Sequence, residues 1–315
     1  MMSKKLGVIM NSTKHEFVES YETPDGVTLD STETELCQCT WVQIQNENGA
    51  EAMGRAIGNY VTIETDIMYR GKTGELDEIA KIVSEYLTRL MGISDDASVL
   101  VVGIGNRSVI ADSLGVRAAD KVLATRHVAS QVKNSRGEQI RSISVISPGV
   151  MGVTGISTAE IIKSICDVIN PSLVILIDAL AARKTTRLCS TIQLSDAGII
   201  PSAGLTGKAN KQEINSDYLG LPTISMGIPT VVNAATIMTD FMSLLSQEHG
   251  GDEELDESMI ERIHCYAEDL FLTSSPFVAT KEIDAAINYS AYVLSTAINM
   301  ALFGEDWVQM SHNTY

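Results

Sequence analysis

The chain has 315 residues, 44% hydrophobic and 20% charged, a balance that supports a sizeable buried core and excludes a disordered chain. Its 40 acidic residues outnumber 23 basic ones, for a formal charge of −17, and such a field disfavours direct nucleic-acid binding. No apolar run approaches the ~20 residues of a membrane span, and the patch after Met1-Met2-Ser3-Lys4-Lys5 does not read as a signal peptide, so a cytoplasmic protein is expected. The five cysteines, Cys37, Cys39, Cys166, Cys189 and Cys265, match no zinc or redox spacing and read as incidental thiols of a reducing compartment.

Residues 1–40 are polar and poorly periodic, with a turn signal at Thr23-Pro24-Asp25-Gly26, and read as an N-terminal extension or pro-segment. Residues 41–315 read as a single α/β domain. Trp41–Gln45 and Tyr60–Glu64 alternate like strands, and Gly71–Met91 has helical periodicity with Thr73 as its N-cap. The apolar run Val99–Val102 predicts a buried strand that Gly103 and Gly105 break, followed by a helix from near Asp112 toward His127. Ile143–Ile146 is a short strand entering a glycine-rich loop, Ser147–Gly155, whose spacing is expected to be irregular.

A capping box, Ser157 and Glu160, opens the next helix, which stops before Asn170-Pro171. Leu173–Ile177 is a second buried strand and ends on Asp178. Thr191–Leu194 and Thr223–Gly227 read as further strands, with a helix launched at Ile228-Pro229-Thr230. A loop at 202–215 and an acidic connection at 247–257 precede two closing amphipathic helices. Strands alternating with helices in this way predict a three-layer α/β/α sandwich around a mostly parallel or mixed sheet.

Asp112 and Asp178 each follow a buried strand, so both are expected at the carboxyl edge of one sheet, where α/β proteins place their sites. Each acid has an ordinary alternative, a helix cap or a polar strand end. The turn Gly103-x-Gly105 has Ser108 in place of a third glycine, which disfavours a dinucleotide site. There is no phosphate-binding Gly-Lys-Ser/Thr loop, no G-x-S-x-G elbow and no H-E-x-x-H metal motif.

The blocks Gly103-Ile104-Gly105-Asn106, Asp112-Ser113-Leu114-Gly115, Ala124-Thr125-Arg126-His127, Ser147–Gly155 and Ile177–Arg183 resemble the germination protease family. Gly58–Glu64, Gln193–Ile199, Gly227–Val232 and Thr280–Asp284 extend the likeness over roughly residues 40–303. The resemblance implies an atypical aspartic endopeptidase that degrades small acid-soluble spore proteins in the cytoplasm of the germinating spore. It also implies a homotetramer made as a zymogen, a fold like that of the hydrogenase-maturation endopeptidases, and Asp112 and Asp178 as the essential acids. Neither metal nor cofactor is expected.

Two close carboxylates share one proton, so one serves as base toward water and the other as acid toward the leaving amine. The sequence leaves their assignment open, with Asp178 favoured as the group activating water. Backbone N–H groups around Gly149, Gly152 and Gly155 are candidates for an oxyanion site, with a packing turn the equal alternative. Two other readings stand: a metal-dependent maturation-type peptidase, with His127 the nearest histidine in sequence, and a non-catalytic homologue that binds spore proteins. The chain departs from the family in lacking an Arg-Thr-Asp-Leu-Ala segment, in placing Asn233 where an acid is common, and in the loop at 202–215.

Overall fold

The computed structural model describes residues 23–133, 137–200, 212–248, 257–271 and 276–304, together with Trp307. Among these residues nine strands form one mixed sheet: β1 Val27–Glu33, β2 Gln38–Ile44, β3 Gly58–Glu64, β4 Val99–Gly103, β5 Ile143–Ile146, β6 Leu173–Ala182, β7 Thr191–Ser195, β8 Thr223–Asn233 and β9 Phe277–Val278. Their order is β1-β2-β3-β7-β8-β6-β4-β5, with β9 paired to β8. Strands β5, β4, β6 and β8 are parallel, and the remaining pairings are antiparallel.

The composition of the central strands explains their position. All of β4 and the run Leu173–Asp178 of β6 are buried, as strands covered on both faces must be. One face packs on helices α2 (Thr73–Met91), α3 (Leu114–Ala119) and α7 (Ile283–Phe303), through Val101, Ile175, Ile224, Ile79, Leu87, Leu114, Leu294 and Ile298. On the other face Leu100, Val102, Val174 and Leu176 meet Ala159, Ile162 and Cys166 of α4 (Thr158–Ile169). Each such side chain contributes about 1.5–3 kcal/mol on full burial, which makes this three-layer half the stable centre of the molecule.

Over the outer antiparallel strands the second cover is smaller. A helix that the sequence reading missed, α1 (Glu47–Met53), packs Ala50 and Met53 on Val27, Val42 and Ile44. Its signal was present in Asn46, whose side chain accepts the Gly49 N–H. Two further helices, α5 (Ala234–Glu248) and α6 (Glu257–Phe271), lie beyond β8. No described helix is long and apolar enough to cross a membrane.

Several expectations are corrected. The sheet starts at Val27, inside the stretch read as an extension; β1 is an edge strand exposed along most of its length, so it carries no burial pattern to read. The helix expected to run from Asp112 toward His127 is a 3-10 turn, Ile110–Asp112, followed by the six-residue α3. After it, the Asn299 side chain bonds the Lys121 carbonyl and the Leu123 N–H, and the Ile143 carbonyl accepts from the Thr125 N–H, so tertiary contacts redirect the chain. The expected helix at Ile228 begins instead at Ala234, because β8 continues through Pro229 and Asn233 caps the Ala235 N–H at 2.8 Å.

Lys72 rather than Thr73 is the N-cap of α2. Ser157 caps α4 by position without a side-chain bond. Within Ser147–Gly155, Met151–Thr154 form one helical turn. Cys37, Cys39, Cys166 and Cys189 are buried free thiols, and Cys265 is exposed. The acidic connection and the loop at 202–215 lie mostly outside the described residues.

Candidate active site

Asp178 reaches its place because β6 passes directly between β4 and β8, so a residue on this strand sits in the middle of the sheet. Asp112 comes from the neighbouring β4 by a sharp return. Gly105, at φ +127°, lets the chain turn back; a Cβ there would stand 1.9 Å from the Asp112 carbonyl oxygen. The turn is pinned to β6 by the Ile104 N–H, which donates to the Ile177 carbonyl at 2.8 Å. Opposite Asp178 in the β6–β8 register stands Gly227, whose missing Cβ would lie 2.4 Å from the Asp178 carbonyl oxygen.

Both acids line one cavity of about 740 Å³. Its floor is the face of β3, β7 and β8 that, among the described residues, no helix covers, carrying Tyr60, Thr62, Gln193, Ser195 and Ser225. Arg55, Arg183 and Arg187 also line it. Arg55 lies over the Tyr60 ring at 5.1 Å, and burial, then the Arg183 charge, lowers its pKa. Arg187 contacts Glu64 at 3.4 Å. The sequence reading assigned none of these groups, although the alternation of polar Tyr60, Thr62, Gln193 and Ser195 with apolar Val61, Ile63, Ile192 and Leu194 marks an uncovered sheet face.

The two carboxyls have different environments. Asp178, 3% exposed, accepts the Ala179 N–H at 2.8 Å; burial, reinforced by the charge of Asp112, pushes its pKa up to about 8. Asp112, 9% exposed, is raised by burial as well, but the Asn106 N–H donates to its Oδ2 at 2.8 Å and favours the ionised form. Burial thus raises both carboxyls, Asp112 has a backbone N–H favouring its ionised form, and two such interacting groups titrate as a unit.

Gly149, Gly152 and Gly155 do not line this cavity. Their loop leaves β5, the edge strand of the sheet, and Met151–Ile156 is exposed, so the oxyanion expectation is not supported by its placement. His127 is exposed on a turn, and among the described residues no histidine or cysteine lines the cavity. Nor, among the described residues, is any group of three or more His, Cys, Asp or Glu side chains placed to hold a metal ion.

The family model described as Germination protease matches residues 5–273. A germination protease of Clostridium perfringens is 39% identical over 295 residues, covering 88% of each chain. One from Caldanaerobacter subterraneus is 38% identical over 287 residues, again 88% of each. One from Priestia megaterium is 40% identical over 228 residues, 71% of this chain and 61% of that one. A solved [NiFe] hydrogenase maturation protease, HycI of Thermococcus kodakarensis, aligns with a TM-score of 0.30 at 15% identity, covering 59% of this chain and 96% of its own. With its length matched almost throughout, the chain is a peptidase and belongs to the germination protease family.

Proposed function

We propose that this protein is the endopeptidase that hydrolyses small acid-soluble spore proteins during germination, with Asp112 and Asp178 as its working carboxylate pair. The observation that carries the reading is that two buried carboxyls line one cavity, Asp178 raised by burial and by the Asp112 charge, and Asp112 held by the Asn106 N–H. Asp112 takes a proton from water as the water oxygen bonds to the scissile carbonyl carbon. Asp178 then gives its proton to the departing amine as the C–N bond breaks. Asp112 is left protonated and Asp178 ionised, and one proton passing between them restores the starting state. This assignment reverses the one favoured from sequence; burial and the neighbouring Asp112 charge, which raise the Asp178 carboxyl to about 8, support it.

The resemblance also supports a zymogen that loses a short N-terminal segment, acting as a homotetramer in the spore cytoplasm. Exposed apolar side chains on α5 and α6, including Phe241, Leu244 and Leu270, favour self-association. Light scattering on the purified chain tests the tetramer.

The function is tested by incubating the N-terminally trimmed protein with a small acid-soluble spore protein and mapping fragments by mass spectrometry. Cleavage that persists in chelator and disappears in Asp112→Asn and Asp178→Asn is expected. Loss of cleavage in chelator would establish the metal-dependent alternative. Substrate that stays intact throughout would establish the non-catalytic one.

A further inference from the structure

Pro229 lies within β8, a central strand where a residue without an N–H is out of place unless the ladder is interrupted. The ladder is interrupted here. Leu180 pairs with Pro229 and Ala181 with Val231, so Thr230 is the extra residue of a β-bulge. The Pro229 carbonyl is satisfied by the Cys189 N–H at 2.7 Å.

The bulge re-aims one side chain. Thr230 is 1% exposed, and its hydroxyl donates to the Ala111 carbonyl at 2.6 Å. That carbonyl belongs to the peptide linking Ala111 to Asp112. Apart from the Ile104 N–H, which ties the start of the turn to β6, the bonds around Asp112 are local: Asn106 N–H to Asp112 Oδ2, Asp112 N–H to the Val109 carbonyl, Ser113 hydroxyl to the Ile110 carbonyl. Thr230 instead ties the turn to β8, the strand paired with β6 alongside Asp178.

We propose that Thr230 is a positioning residue: the Pro229–Thr230 bulge directs its hydroxyl onto the Ala111 carbonyl and thereby sets how closely the Asp112 carboxyl approaches Asp178. The inference rests on the reading of the two acids as the working pair. Thr230 lines the same cavity, but its hydroxyl bonds the Ala111 carbonyl and not a carboxyl, so it acts through the backbone of the turn. The charged groups that share the cavity, Arg55, Arg183, Arg187 and Glu213, sit on other segments, so a change at Thr230 leaves them in place.

The test compares Thr230→Val, which keeps the shape and removes the hydroxyl, with Thr230→Ser, which keeps the hydroxyl. In Thr230→Val, kcat is expected to fall about 10- to 100-fold, the scale of a misplaced catalytic group, with KM within about twofold of wild type because substrate contacts are retained. Its high-pH limb is expected to shift to lower pH, because a more distant Asp112 charge holds the Asp178 proton less firmly. Thr230→Ser restores kcat and the limb. Should Thr230→Val fail to fold, Thr230→Ala is read in its place with the same expectations.

Wild-type kcat and pH profile in the valine or alanine variant would overturn the inference, and so would equal impairment of the serine and valine variants, which would point to packing by the methyl group. Titration of ¹³C-labelled aspartate carboxyls by NMR separates this claim from the reading beneath it. Asp178 is expected to lose its proton at lower pH in the variant even if the Asp→Asn enzymes prove active, and an unmoved midpoint would sink the positioning role alone.

Discussion

The parallel strands β4 and β6 are apolar on both faces, setting Val101 and Ile175 against one helical layer and Val102 and Leu176 against the other. Strands β3 and β7 alternate instead, burying Val61, Ile63, Ile192 and Leu194 and presenting Tyr60, Thr62, Gln193 and Ser195 to a cavity. The first half is covered by helices on both faces. The second is closed on one side by α2 and α7 and, among the described residues, only partly covered on the other, by α1. Asp112 and Asp178 stand at the seam between them, where buried strands border a cavity of about 740 Å³. Stability and access are thus assigned to different halves of one sheet.

Substitutions at the seam are expected to give the largest effect. Asp112→Asn and Asp178→Asn each lower kcat by about 10³-fold, within the range of general acid–base catalysis, and leave the far-ultraviolet circular dichroism unchanged. Near-normal turnover in either would remove the pair from the mechanism. The wild-type rate is expected to fall above pH about 8, as Asp178 loses the proton it must donate.

A cut in the closed half comes next. Ile175→Ala, at a fully buried position of β6, is expected to cost about 2–5 kcal/mol in urea unfolding. A loss below about 1 kcal/mol would show that the two halves do not divide the work as described.

Asp178 also links the seam to stability. Its carboxyl is raised from an ordinary 3.8 to about 8, so the native state holds a proton that the unfolded chain releases. The stabilisation belonging to that proton is complete below pH 3.8 and is lost as pH rises through about 8. Asp178→Asn, which cannot ionise, should therefore gain on wild type with rising pH, with a Tm advantage of at least about 3 °C near pH 8 that shrinks toward pH 5. A pH-independent difference in calorimetry would contradict the proton assignment.

The smallest effect is expected on the open face. Gln193→Ala, on the cavity floor, should change stability by no more than about 0.5 kcal/mol, because its side chain is not part of the packed core. Its consequence should appear in KM for a protein substrate.

Much of this organisation was legible in the chain. Continuous apolar runs such as Val99–Val102 and Leu173–Ile177 read as strands covered on both faces, and the glycines after β4 announce a sharp return. But β6 runs on past Asp178 to Ala182, so Asp178 lies within the sheet and not at the strand end expected of it. What the chain could not show depended on contacts between distant segments. The brevity of α3 follows from Asn299, the continuation of β8 past Pro229 follows from a bulge against β6, and the exclusion of the Gly149–Gly155 loop from the cavity follows from the edge position of β5. The raised pKa of Asp178 was likewise not legible in the chain, because a carboxyl's affinity for a proton is set by burial and charges around it in space and not by its neighbours in sequence.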